Sequence, residues 1–354
     1  MNYILLLTLY GLEKINGERT VYSIYHLYKG KRSSQTIQDA KLFQLEPLFG
    51  LLPDLTREGM ERSVQQLIEK GMVSSVGEGA YTVNNTGRNQ LSSFSIPKSL
   101  NGWAYSSITA VFWERLSLTI QCLSYLIHHE TRFIPISRDQ NTMQWVKSFL
   151  KNQPGLREVV AKDLHDELFS VLSNLDELQS TIFVYKLTSL RRIGYTNTQI
   201  AELLETDSLK VSISFQATVH YLLDRLEQYP DQYPLLSRLA MVSNKPTTLT
   251  QSTSRTMELL QQGRTIEEIA AMRQLKKNTI EDHIVEIALT NPSFDISTFI
   301  NPKDISIISE CIKNSGTNQL KLIRKQLPIE ASYFEIRLVL AKLGGAHGNS
   351  SRIT

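Results

Sequence analysis

Three groupings in the sequence have residue types and spacings that could do chemistry. "DLHDEL" holds a His165–Asp166 pair, and "IHHE" places His128 and His129 upstream. Such a dyad, completed by a distal carboxylate such as Asp207 or Asp224, can hold a metal ion for hydrolysis. A His-Asp pair in a charged helix is nonetheless common, and the surrounding segments lack the wider pattern of a metal hydrolase. "YKGKRSS" offers a Gly30–Lys31 pair, but a phosphate-binding loop needs glycine where Tyr25 stands and Ser or Thr where Arg32 stands. Neither grouping supports catalysis, and no cofactor is implied. The third grouping is basic. "GRTIEEIAAMRQLKKNTIEDHI" sets lysines and arginines around a break between two short helical patterns, and such side chains neutralise phosphate backbone.

The elements that must position those bases are readable. Thr265 can cap the first helix, and Glu268 three residues later can reach back to complete a capping box. Ile266, Ile269 and Ala270 then share one face at helical spacing. The pattern breaks at Gln274 and Leu275 and resumes at Lys277, with Ile280, Ile284 and Ile287 as a buried stripe. Small Ala270 lets the helices cross closely, and Leu275 plugs the turn. This spacing predicts a helix-turn-helix, whose second helix can enter a major groove about 12 Å wide. An αα-hairpin that merely packs shares the pattern. On the first reading, Lys277 and Asn278 would meet bases at the helix start, while Arg264, Arg273, Lys276 and His283 would hold phosphates. Glu281 and Asp282 fall on the outward side, where they repel phosphate, so the expected sequence specificity is weak. Further on, "NQLKLIRKQLPIEASYFEIRLVLAKL" predicts another helix pair, lined by Leu320, Ile323 and Leu327 on one side and Ile336, Val339 and Leu340 on the other. Ser332 and Glu335 offer a second capping box. Lys321, Arg324 and Lys325 form a compact basic patch there, joined by Arg337 and Lys342.

A chain of 354 residues has room for two or three domains. With 41% hydrophobic and 21% charged residues it is ordinary globular material. Cys122 and Cys311 give neither a disulfide framework nor a zinc spacing, and they suit a reducing cytoplasm. "MNYILLLTLYGL" is apolar but too short to span a bilayer, and it is expected to be a core helix. The net charge of +3 is unevenly spread. Residues 1–100 hold 11 Lys and Arg against 9 Asp and Glu, residues 101–244 hold 13 against 15, and residues 245–354 hold 14 against 11. Mildly basic ends are compatible with nucleic-acid contact there.

"SSFSIPKSLNG" (Ser92–Gly102) and "SNKPTTLTQST" (Ser243–Thr253) read as connections, and the tail from Gly344 as disordered. The expected modules are therefore residues 1–95, 103–242 and 253–343, followed by the tail 344–354. The fold class is mainly α, with one exception near the N-terminus. There, Thr56 can cap a helix striped by Met60, Val64, Leu67 and Ile68 and ended by Gly71. "MVSS" and "AYTV" predict a hairpin, with Val76–Gly79 at its tip, and Thr86 starts another helix. This order predicts a winged helix. Lys31 and Arg32 precede a helix start, a natural phosphate site, and Arg57 and Arg62 lie on the polar side of the candidate reading helix. A second echo comes from "GYTNTQIA", which shares with "GRTIEEIA" the pattern Gly-x-Thr-x-x-Gln/Glu-Ile-Ala. The helix after it offers Ser208, Ser212 and Ser214 with Lys210 as its lone base, so this copy reads as structural or protein-binding.

Several of these stretches resemble known families. "LIEKGMV", the tyrosine of the second strand and "NTGRNQL" resemble the winged helix of RecQ-type helicases. The segment around "GYTNTQIA" has helix lengths like those of region 4 of sigma factors. "TMELLQQGRTIEEIAAMRQLKKNTIEDHI" with "QLKLIRKQLPIEASYFEIRLVLAKL" resembles the helicase helix-turn-helix domain. That domain is appended to some RecQ-type helicases and carried by the YpbB-like family. "NGERTVYSIYHLYKGKRSSQTIQDAKLFQL" is similar to the opening of YpbB-like chains. The resemblance implies a bacterial, cytoplasmic, nucleoid-associated protein without catalytic activity, with DNA and a RecQ-type helicase as partners in recombination or repair. A sequence-specific transcription regulator and a pure protein-interaction scaffold are the alternative readings.

Overall fold

In a computed structural model of the chain, residues 1–241 and 249–344 are described. Part of the linker expected at Ser243–Thr253, and the tail beyond Gly344, lie outside them. The described residues form α1 (Tyr3–Ile15), α2 (Val21–Tyr28), α3 (Ser34–Leu42), α4 (Arg57–Glu69), β1 (Val73–Gly77), β2 (Ala80–Val83) and α5 (Asn85–Leu91). Then come α6 (Gly102–Leu126), α7 (Gln140–Lys151), α8 (Arg157–Leu172), α9 (Glu177–Tyr185), α10 (Asn197–Leu203), α11 (Ser208–Gln228) and α12 (Pro234–Ala240). The last set is α13 (Gln251–Gln261), α14 (Ile266–Arg273), α15 (Lys277–Thr290), α16 (Pro302–Ser315), α17 (Leu320–Gln326) and α18 (Tyr333–Leu343). The protein is thus mainly α, with one two-stranded sheet among the described residues.

Two compact units emerge. One holds residues 1–4 and 95–241, the other residues 5–94 and 249–344. In the second unit, α1 is a core helix whose Leu5, Leu7, Leu9, Leu12 and Ile15 are all buried. Among the described residues no helix is long and apolar enough to cross a membrane. Thr56 caps α4 through the Gly59 N–H, and Met60, Val64 and Leu67 form its buried stripe. Ile68, expected on that stripe, is 38% exposed, because one residue beyond Leu67 turns the helix by about 100°. β1 and β2 pair antiparallel from Val73 opposite Val83 to Gly77 opposite Ala80, and Val76 near the tip is exposed. The helix expected from Thr86 starts slightly earlier, because the Asn84 side chain accepts the Gly87 N–H and caps α5. Helix, hairpin and helix follow one another as in a winged helix.

The unit's C-terminal part centres on α15, which packs against α3, α13, α14 and α18. The Ile280, Ile284 and Ile287 stripe is fully buried. Burial does not stop at that stripe: every residue from Ile280 to Ala288 except Glu281 and Asp282 is buried.

In the other unit α11 plays the matching part, packing against α6, α8, α9, α10 and α12. Trp113 stands edge-on to Phe183 and Phe215, at 5.3 and 4.7 Å between ring centroids. The sequence echo is a structural echo too: Thr196 with Gln199, and Thr265 with Glu268, each form a capping box. Their shared glycine serves two different needs. A Cβ on Gly194 would lie 2.1 Å from the Lys186 carbonyl oxygen, whereas Gly263 meets nothing but sits at φ +76°.

Candidate nucleic-acid interface

The turn between α14 and α15 is built locally. Thr265 Oγ1 accepts the Glu268 N–H at 3.2 Å, and the Glu268 carboxylate accepts the Thr265 N–H at 2.9 Å. Gln274 then closes α14 in the left-handed conformation, at φ 52°. Lys276 occupies the N-cap of α15, and no side chain caps that end. Lys276, Lys277 and Asn278 are all exposed there. An uncapped helix start carries unsatisfied N–H groups and partial positive charge, which favour an anion. Lys277 already lies 3.0 Å from Glu267, and Arg264 lies 3.8 Å from Glu268. Both are exposed pairs that a phosphate could exchange at little cost.

Three residues expected to contact DNA have structural work instead. His283 is 6% exposed, with its Nδ1 2.8 Å from the Thr256 hydroxyl. Burial first, and the Arg273 charge second, hold its imidazole below the usual pKa, so it is a neutral core group and no phosphate ligand. Arg273 donates to the Ser252 carbonyl and hydroxyl, each at 2.9 Å, and to the Thr256 hydroxyl. It ties α13 to the end of α14. Arg337 bonds the Asp282 carboxylate and, at 3.2 Å, Gln38 Oε1. Asp282 therefore faces α18 rather than solvent alone, and helical periodicity could not show it because both partners of Arg337 lie far away in sequence.

On α17, Lys321, Arg324 and Lys325 are exposed, with Arg324 5.0 Å from the Tyr333 ring. Lys342, expected to join them, instead donates to the Asn291 and Pro292 carbonyls at 3.1 and 3.0 Å. Toward the N-terminus, Lys31 is exposed and Arg32 is half-buried over Phe49, 5.7 Å from its centroid. The start of α3 is already capped by Ser33, which accepts the Thr36 N–H. Arg57 pairs with Glu61 at 3.0 Å and lies 4.3 Å from the Tyr22 centroid. Arg62 is exposed beside it. The outward face of α4 balances Arg57 and Arg62 against Glu58, Glu61 and Glu69, all exposed. All fourteen candidate residues fall in one unit, which has 22 Lys and Arg against 20 Asp and Glu among its described residues. The other unit has 14 against 15.

Sequence reasoning missed the buried polar pins of α15. Glu286, 1% exposed, accepts the Thr250 N–H at 2.6 Å and the Thr253 hydroxyl at 2.7 Å. The available signal was its place inside the apolar run "HIVEIAL". The His165–Asp166 pair is exposed on α8, and Asp166 is held by Lys162 at 2.9 Å. Asp207 caps α11 and takes the Tyr3 N–H, and Asp224 accepts from Gln228. Among the described residues, no three His, Cys, Asp or Glu side chains gather as metal ligands would.

Comparison with known proteins matches residues 252–340 to a helix-turn-helix domain family. That span runs from α13 into α18, so the domain comprises six helices rather than two alone. Protein YpbB of Bacillus subtilis (strain 168) is 40% identical over 347 residues, covering 97% of this chain and 98% of that protein. The chain belongs to the YpbB family. No solved structure matches it. In this YpbB-family chain, the helix-turn-helix domain shares its compact unit with the N-terminal helices and hairpin of residues 5–94.

Proposed function

We propose that the chain is a non-catalytic DNA-binding accessory protein that holds phosphate backbone through the uncapped start of α15 and the bases of α17. The observation that carries this reading is the exposure of Lys276, Lys277 and Asn278 at an uncapped helix start inside a matched helix-turn-helix domain. Lys321, Arg324 and Lys325 add an exposed basic stretch. Burial along Ile280–Ala288 favours backbone contact over groove reading, because a helix lying in a major groove must free more than its first turn. This counts against a sequence-specific transcription regulator. Arg264, Lys31, Arg32, Arg57 and Arg62 are secondary contacts on this reading. The resemblance of 253–343 to the domain appended to RecQ-type helicases supports a cytoplasmic, nucleoid-associated role beside such a helicase in recombination or repair. The modules 1–95 and 253–343 act together on this proposal, with 103–242 as a separate helical module.

The test is fluorescence anisotropy of the purified chain with duplex, forked and single-stranded DNA across a salt series. Each lost duplex phosphate contact flattens the slope of log K against log salt by about 0.9. Changing Lys276 and Lys277 together to alanine is expected to weaken binding and flatten that slope by roughly 2. Absence of DNA binding at any salt overturns the reading. Co-purification with a RecQ-type helicase tests the partner separately.

A further inference from the structure

A second face of the helix-turn-helix domain has the opposite electrostatic character. A groove of about 820 Å³ runs between α13, the Gly263–Thr265 turn, the first turns of α15, the segment from Phe294 to Phe299 and the start of α18. Met257, Leu260, Ile266, Phe294 and Phe299 line it and are only half-buried. Phe299 lies 6.0 Å from Phe294 and 6.1 Å from Phe334 between ring centroids, so the aromatic part of the floor is a packed set that presents one side to the groove. Large apolar side chains gathered in one concavity are a mark of a binding surface rather than of random exposure.

The rim selects the occupant. Glu267, Glu281, Asp295 and Glu335 line the groove against only Arg264 and Lys277. Those two bases are already 3.8 and 3.0 Å from Glu268 and Glu267. The Ser297 N–H and hydroxyl hold the Asp295 carboxyl below its usual pKa, so it is charged at neutral pH. Phosphate backbone gains nothing from an apolar floor and is repelled by such a rim, as is an acidic peptide. A cationic segment with apolar anchors satisfies both parts. Lys276 and Asn278 do not line the groove, so the two faces of the domain are chemically separate at all but Lys277 and Arg264.

We propose that this groove binds a basic amphipathic helix of a partner protein, its apolar anchors at i, i+3 or i+4 and i+7 set on the Met257–Phe299 floor and its Lys or Arg side chains opposite Glu281, Asp295 and Glu335. This is the helix-in-groove mode of peptide recognition. It shares Lys277 and Arg264 with the DNA-binding reading, but it is argued from the apolar floor and the acidic rim and does not rest on that reading.

The experiment selects a displayed random peptide library, each member long enough for about four helical turns, on the full chain. The selected consensus is then titrated by fluorescence anisotropy. The expected consensus alternates apolar residues at three- and four-residue spacing with Lys and Arg, and its affinity falls between about 0.05 and 0.3 M salt as exposed charges are screened. Glu281→Lys should weaken it at least about threefold, and Met257→Asp by an order of magnitude or more. Both residues are half-buried, and thermal unfolding of each variant reports on the fold. If Met257→Asp unfolds the domain, Glu281→Lys carries the test. An acidic consensus, no consensus, or affinity indifferent to both changes overturns the proposal. So does loss of DNA binding in a folded Met257→Asp chain, which would place nucleic acid in the groove.

Discussion

Arg337 separates a structural base from a functional one. Its guanidinium is 19% exposed and holds the 37% exposed Asp282 carboxylate on one side and Gln38 Oε1 on the other. Arg337→Ala removes both bonds, and the Gln38 Nε2 group already lacks a hydrogen-bond partner, so Gln38 would lose its polar anchor altogether. A hydrogen bond to a charged group contributes about 1.5–3 kcal/mol, and breaking a fully buried pair costs about 3–5 kcal/mol. Asp282 reaches water, which screens the pair, so the lower range applies and a loss of about 2 kcal/mol is expected. For a unit of this size that lowers the thermal midpoint by about 4–8 °C. The assay pairs thermal unfolding with DNA anisotropy well below the midpoint. Arg337→Ala should lower the midpoint and leave DNA affinity nearly unchanged, while Lys276→Ala should do the reverse. An Arg337→Ala chain with an unaltered midpoint and weakened DNA binding would refute the assignment.

Further outcomes follow from the same geometry. His220 is fully buried; its Nδ1 accepts the Asn101 N–H at 3.0 Å, so the proton sits on Nε2, facing Thr109 Oγ1 at 3.1 Å. Burial pushes its pKa down to about 4 from 6.5, so the unfolded chain takes up a proton that the folded chain refuses. The stability due to neutral His220 is complete above about pH 6.5 and is lost progressively toward pH 4, by about 3 kcal/mol. Denaturant titrations from pH 7 to 4 should show this loss, and His220→Gln should flatten it. Gly194→Ala forces a Cβ onto the Lys186 carbonyl and should cost on the order of 3 kcal/mol. Gly263→Ala meets no atom and should cost only about 1 kcal/mol of left-handed strain, so a reversed order in thermal unfolding would contradict the two roles. Glu286→Ala leaves the buried Thr253 hydroxyl without its acceptor and should destabilise by about 2 kcal/mol, read by denaturant unfolding.

Local signals are legible in the sequence where they involve neighbouring residues. The capping boxes at Thr265 and Ser332, the isoleucine stripe of α15, the cap of α4 and the glycine-bearing hairpin all depend on groups within a few residues of each other. Periodicity shows which face of a helix is greasy, and it cannot show that the remaining faces are covered too. Asp282 and His283 read as outward polar residues and Glu286 interrupts an apolar run, yet their partners are Arg337, Thr256, Thr250 and Thr253 on other elements. A polar residue buried by a distant partner leaves no trace in a 3.6-residue repeat. For the same reason, the sequence places Lys277 and Asn278 in the first turn of α15, where they lie, but gives no sign that Arg273, Arg337 and Lys342 are tied to partners on other elements. The groove was equally hidden, since its floor is assembled from α13, the 294–299 segment and α18, none of which is unusual alone.

The pairing of residues 5–94 with residues 249–344 also sets the order in which the protein can be made. Gln38 meets Arg337, and the Glu18 carboxylate takes the Asn318 N–H at 2.8 Å, across 299 and 300 positions of sequence. A ribosome adding about 5–20 residues per second needs roughly 15–60 s to deliver those partners. Throughout that interval the side of α3 that receives α15 and α18 has nothing to pack against, while residues 95–241 emerge whole and can fold. Premature termination anywhere in the middle unit would leave that side of α3 uncovered for good. Expression of the helix-turn-helix domain alone would strip α15 of one of the four helices that bury it. Soluble material is therefore expected from the full chain rather than from either fragment.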